Sequence, residues 1–245
     1  MKVALFSSCI VDLLKPEIGF ATLRLLEAAG CDVEVPEQSC CGQANYNSGD
    51  EAGARAMLRN WQQRFAPYDY IVIPSGSCAA MLKHHAPALF ADSDQSLRKQ
   101  SLALAEKSYE LSQFLTEVVA PEFGELPLQK ICYHDSWSGL RDLGIKQQPR
   151  QLLSRTGGLE LLELPNAEAC CGFGGTFSVK HPEVSCRLAD DKIAGIEASG
   201  ADTLVGGDWS CLMHLQGRLQ ARGIPLQVKH FSELLVQALD NGEPT

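Results

Sequence analysis

Cys31-Asp32-Val33-Glu34-Val35-Pro36-Glu37-Gln38-Ser39-Cys40-Cys41-Gly42 is a short strand, Cys31 to Val35, running into a loop that carries two adjacent cysteines. Upstream, Pro16 to Ala29 forms a helix with proline in its first turn and Gly30 as its stop. Before that helix, residues 2–6 form an apolar strand, and the loop after it holds Cys9. Downstream, Asp50 to Phe65 is helical, Tyr70 to Ile73 is a short apolar strand, and Ser75-Gly76-Ser77-Cys78 leads into another helix. Strands alternating with helices imply right-handed crossovers and a parallel sheet, so the expected class is α/β.

The same unit is written a second time. Cys9, Cys40-Cys41-Gly42 and Cys78 are followed by Cys132, Cys170-Cys171-Gly172 and Cys211. The gaps are 31 (Cys9 to Cys40) and 37 (Cys41 to Cys78) in the first half, against 38 (Cys132 to Cys170) and 40 (Cys171 to Cys211) in the second. Lys2 to Phe6 precedes Cys9 as Leu128 to Ile131 precedes Cys132, and Leu111-Ser112-Gln113-Phe114-Leu115 matches Phe231-Ser232-Glu233-Leu234-Leu235. Second-half strands are expected near 129–133, 159–164 and 202–206, with one more near 225–229. Two homologous βαβ-type halves follow, residues 1–120 and 128–245, each a CCG unit. Residues 121–127 form the linker, because two prolines and a glycine around it disfavour regular structure. The helical stretch from about Ser96 to Val119 reads as an insertion without a full counterpart.

In a parallel sheet, the loops that follow the strands emerge at one carboxyl edge. Cys9, Cys40, Cys41 and Cys78 therefore converge, as do Cys132, Cys170, Cys171 and Cys211. Helices beginning just after Cys78 and Cys211 aim amide N–H groups at such a pocket, which suits an anionic group.

The chain of 245 residues is 45% apolar and 21% charged, ordinary for a soluble globular protein. No run of 18 apolar residues occurs, so no membrane span is expected. The net charge of −9 argues against nucleic acid and anionic lipid, both of which need clustered Lys and Arg. The apolar start breaks before any cleavage site, so a cytoplasmic protein is expected, where structural disulfides are rare. Adjacent Cα atoms lie about 3.8 Å apart, short of the roughly 4.4–6.8 Å that disulfides prefer. Metal ligation is the expected use of these thiols. Four thiolates suit zinc or an iron–sulfur cluster. No Cys-x-x-Cys knuckle is present and the spacings are long, which favours iron–sulfur and leaves a zinc-bound interaction module as the alternative.

Two Cys-Cys-Gly units, each with an upstream and a downstream cysteine at these distances, resemble the cysteine-rich CCG-domain family. That family includes the heterodisulfide reductase B subunit and the iron–sulfur subunits of glycolate oxidase and anaerobic glycerol-3-phosphate dehydrogenase. Cys170-Cys171-Gly172-Phe173-Gly174-Gly175-Thr176-Phe177 and Cys132-Tyr133-His134-Asp135-Ser136 sharpen the likeness, which covers nearly the whole chain. It implies an electron-transfer subunit, with two [4Fe–4S] clusters, of a complex that oxidises a 2-hydroxy acid, L-lactate being the expected substrate. Its partners would be the other protein subunits of that complex. Heterodisulfide reductase relatives imply a second reading, a thiol/disulfide oxidoreductase. The family motif ends in Cys-x-x-Cys, whereas here Met81 and His214 stand at the final position. A five-cysteine cluster is thereby disfavoured.

His214 is a candidate nitrogen ligand in place of the missing cysteine, weighed against an ordinary hydrogen-bonded histidine. Met81, Cys31 and Cys186 read as packing residues, and His84-His85 as exposed or interfacial. His134 and Asp135 either hydrogen-bond cluster sulfurs or cap a loop. Gly172 to Gly175 lacks the spacing of a dinucleotide-binding turn, so no flavin or nicotinamide site is expected.

Overall fold

A computed structural model describes residues 1–242. In the first half, β1 (Lys2–Leu5) leads to α1 (Cys9–Leu14), α2 (Pro16–Ala28) and β2 (Asp32–Glu34). Then come α3 (Gln43–Asn47), α4 (Glu51–Phe65), β3 (Tyr70–Ile73) and α5 (Gly76–Ala80), which continues through a π-helical turn, Met81–His85. The half closes with α6 (Ala86–Leu89), α7 (Gln95–Glu106), β4 (Ser108–Glu110) and α8 (Leu111–Phe114), followed by a second π-helical turn, Leu115–Val119. The second half comprises β5 (Glu125–His134), a π-helical turn (Ser138–Asp142), α9 (Gln147–Ser154), β6 (Gly157–Leu162) and α10 (Thr176–Lys180). It ends with α11 (Pro182–Ser199), β7 (Thr203–Gly206), α12 (Trp209–Ala221), β8 (Gln227–His230) and α13 (Phe231–Gly242).

The strands form two four-stranded sheets, ordered β2-β1-β3-β4 and β6-β5-β7-β8, and every pairing is parallel. Strand order reverses between β1 and β3, and again between β5 and β7. A crevice opens there, beyond the carboxyl ends of the strands.

Two expectations change. The 96–119 stretch is not one long helix. Chain pairing pulls Ser108–Glu110 into the sheet against Ile71–Ile73, overriding local helical preference. The Glu110 carboxylate then accepts the Ser112 amide at 2.8 Å and starts α8. β4 and α8 thus repeat β8 and α13; only α7 is extra. Second, β5 begins at Glu125 and takes in Pro127. Its register with β6 shifts between Glu125 and Gln129, a bulge that accommodates a residue unable to donate to the ladder.

One apolar core spans both halves. Leu25 and Leu26 of α2 pack with Leu234, Leu235 and Ala238 of α13, while Phe114 of α8 shares that core with Leu152 and Leu153 of α9. Each pair joins a helix that follows a central strand to a closing helix from the other half, so the exchange is reciprocal. Burying a Leu or Phe side chain contributes roughly 1.5–3 kcal/mol, so this seam holds the two carboxyl edges in one relation.

Candidate metal centre

In the first half each thiol follows a strand and is fixed by a local device. Ser8 caps α1, accepting the Val11 amide at 3.3 Å, and Cys9 is the first residue of that helix. Ser75 caps α5 and accepts the Cys78 amide at 3.4 Å. Gly42 has φ +86°, and a Cβ there would press on the Ala54 carbonyl oxygen at 3.2 Å. The turn therefore needs glycine to place Cys40 and Cys41. The Cys9 and Cys40 sulfurs stand 3.7 Å apart, and those of Cys41 and Cys78 3.3 Å. The Gly42 amide donates to Cys40 Sγ at 3.5 Å. Donation from Cys41, then Cys9, holds the Cys40 thiol far below its ordinary pKa, while the same contacts and burial push Cys41 and Cys9 up. A thiolate surrounded by thiols is a donor set that a metal completes by displacing the remaining protons.

The second half repeats the turn. Gly172 has φ +86°, and a Cβ would run into the Ser185 carbonyl oxygen. The Gly172 amide donates to Cys170 Sγ at 3.3 Å, and the Phe173 amide to Cys171 Sγ at 3.5 Å. Cys211 lies in the first turn of α12, which Asp208 caps. Contact with Cys171, then burial, raises the Cys170 thiol. Cys171 is pulled down by Cys170, but Cys211 and burial outweigh this and leave it raised.

Sequence spacing had Cys132 in the role of Cys9; strand register places it elsewhere. Val3 pairs with Tyr70, and Ile131 with Thr203. Counting eight residues on from Tyr70 and Thr203 reaches Cys78 and Cys211, as expected. Counting six on from Val3 and Ile131 reaches Cys9 and Trp137. Cys132 is the counterpart of Ala4: it sits within β5, 0% exposed, among Ala189, Ile193, Leu204 and Leu212. Burial raises its thiol to about 11.

His134, two residues on and on the same face of β5, lies closer to the other thiols. Its ring and the sulfurs of Cys171 and Cys211 each offer a ligand atom, all within 4.8 Å of one another. It is 1% exposed, and neither ring nitrogen has a hydrogen-bond partner among the described residues. Burial, with Lys192 nearby, lowers its pKa to about 3. Asp135 instead turns to the opposite face and pairs bidentately with Arg150 at 2.8 and 2.9 Å. His214 contacts Ser185 Oγ at 3.2 Å and packs beside the Phe173 ring, outside the group of donors. Met81 is fully buried, as a packing residue should be.

Both thiol groups open on one cavity of about 750 Å³. Cys9, Cys40, Cys41 and Cys78 line it from the first half, and Cys170, Cys171 and Cys211 from the second. Trp137, 57% exposed, lies at its edge beneath the Arg141 guanidinium. Sequence reasoning treated the two halves separately and missed this sharing. Signals within a half say nothing of how the edges face each other.

The cysteine-rich domain model, CCG, matches residues 3–83 and 131–216. The chain belongs to the cysteine-rich CCG family. It is similar over 96% of its length to two proteins named Lactate utilization protein A. The one from Geobacillus sp. (strain WCH70) is 46% identical with 99% of its length covered, and the one from Halalkalibacterium halodurans is 45% identical with 96% covered. A crystal structure of a hypothetical protein from Helicobacter pylori shares the fold, with a TM-score of 0.63 at 14% identity over 100% of this chain. The CCG chain spans about half of that structure, 49%. Among the described residues, no helix of this CCG chain is long and apolar enough to cross a membrane.

Proposed function

We propose that this chain is an iron–sulfur electron-transfer subunit of a complex that oxidises a 2-hydroxy acid, L-lactate above all. Residues 1–120 and 128–245 would each supply one cluster site. The observation that carries the reading is the single cavity faced by seven thiols from two half-sites. The donor chemistry fits thiolate-held iron: sulfurs gathered from separate loops, with backbone N–H groups of Gly42, Gly172 and Phe173 directed at them. When bound, such clusters supply reversible one-electron transfer. The chain's own residues gather the sulfurs, neutralise part of their charge through those amides, and keep the two groups on one cavity. Relatives named for lactate utilization supply the substrate class.

Removing two electrons from a 2-hydroxy acid calls for a hydride acceptor such as a flavin, and no loop here has the glycine spacing to hold a dinucleotide. Catalysis therefore resides with partner subunits. The test is an anaerobic assay of the reconstituted chain alone with lactate and an artificial electron acceptor. No turnover is expected; robust turnover overturns the carrier role. The cavity volume favours a second reading, thiol/disulfide exchange, because it is of ligand-binding size. Reduction of a small disulfide by the isolated chain would support that reading instead.

A further inference from the structure

We propose that the second half-site is completed by the His134 imidazole alongside Cys170, Cys171 and Cys211, and that Cys132 is not among its donors. The inference deepens the metal-holding reading of this site and rests on it. Three independent observations converge. The first is register: the position that brings Cys9 to the first half-site brings Trp137 to the second. An indole offers one N–H donor and no lone pair for a metal. One thiolate is therefore missing from the second set.

The second is the placement of Cys132. It occupies the mid-strand position of Ala4, fully buried among apolar side chains of α11, β7 and α12. It does not line the cavity that the other seven thiols share. The third is His134. On the same face of β5 but nearer the carboxyl edge, it brings a ring nitrogen to within 4.8 Å of the Cys171 and Cys211 sulfurs. A buried imidazole with both nitrogens unpartnered among the described residues is costly, since burial removes the water that would otherwise satisfy it. Neutral imidazole is the commonest metal ligand among side chains, and ligation gives one nitrogen its partner. The counterpart of His134 in the first half is Phe6, which offers no donor atom. The other candidate histidine, His214, is already engaged with Ser185.

The two half-sites are then chemically unequal. The first offers four thiolates and the second three thiolates with one neutral nitrogen. Replacing an anionic donor by a neutral one raises reduction potential. The second half-site is the more oxidising of the two.

The experiment compares wild type, His134→Ala, His134→Cys and Cys132→Val, each purified anaerobically and checked for folding by circular dichroism. Metal content, nitrogen hyperfine coupling in pulsed EPR and reduction potential are read. Cys132→Val should keep the full metal complement, the nitrogen coupling and both potentials. His134→Ala should lose about half the metal, and His134→Cys should regain it without the nitrogen coupling and with the higher potential shifted down. Loss of the second site in Cys132→Val, or full metal without change of coupling in His134→Ala, overturns the proposal. If the wild type takes up no iron, the iron–sulfur reading fails by itself. The same variants loaded with cobalt then report ligation: undiminished cobalt uptake and an unaltered visible spectrum in His134→Ala would overturn the His134 assignment.

Discussion

Asp208 Oδ2, at the start of α12 in the second half, accepts the backbone amide of Ser77 in the first half at 2.8 Å. Its other oxygen, Oδ1, accepts the Ser210 amide at 3.2 Å and caps α12. One buried carboxylate therefore ties the turn that carries Cys78 to the helix that carries Cys211. Removal of an N-cap costs about 0.5–2 kcal/mol, and Asp208→Ala also orphans the Ser77 amide. For a chain of this size each 1 kcal/mol is worth roughly 2–4 °C. Asp208→Ala should melt several degrees lower by circular dichroism, while Asp208→Asn, which keeps an acceptor for the cap, should fall less. Equal melting of all three proteins would contradict the bridging role.

Asp135 and Arg150 form a buried pair, with Asp135 fully enclosed and Arg150 also held by Glu163 at 2.7 Å. Removing one partner strands a charge in the interior, at about 3–5 kcal/mol. Arg150→Ala should therefore be strongly destabilised in denaturant melts, and combining it with Asp135→Asn should recover part of the loss. No recovery in the double variant would show that Arg150 acts through packing alone.

Glu110 sits fully buried at the end of β4, and burial raises its carboxyl from 4.5 to about 7. The folded state then binds a proton that the unfolded state has released, between those two values. Stability from this group is complete below pH 4.5 and is lost as pH rises toward 7. Relative to wild type, Glu110→Gln should flatten the stability profile across that window and gain above it. Parallel wild-type and variant curves between pH 4.5 and 7 would contradict the shift.

Much of this architecture is legible in the residues. The apolar strands Val3–Leu5 and Ile71–Ile73, the stop at Gly30 and the doubled Cys-Cys-Gly unit give the α/β class and the carboxyl-edge placement. β4 is not legible, because Ser108-Tyr109-Glu110 has no apolar run and exists as a strand only through pairing with β3. In the second half, the convergence of Cys170, Cys171 and Cys211 on one cavity is legible, whereas the mid-strand position of Cys132 is not. Cysteine spacing matches Cys132 to Cys9. Alignment of Lys2-Val3 on Lys130-Ile131 was the available signal, and it sets Cys132 opposite Ala4. That neither His134 ring nitrogen has a partner among the described residues is tertiary, set by elements distant in the chain, and no local pattern announces it.

The two thiol groups share a cavity yet arise from separate loops. Cys41→Ser should remove metal from the first half and spare the second, and Cys171→Ser should do the reverse. Elemental analysis and EPR of each variant read the outcome directly. Loss of all metal from either single variant would show one shared cluster at the seam between the halves.

Iron and acid-labile sulfide, measured together on protein purified without oxygen, decide whether these thiols hold clusters. Both elements are expected at a level consistent with two clusters, with a broad absorption band at roughly 400 nm, as thiolate-bound iron gives. Stoichiometric zinc with no sulfide in that material would contradict it.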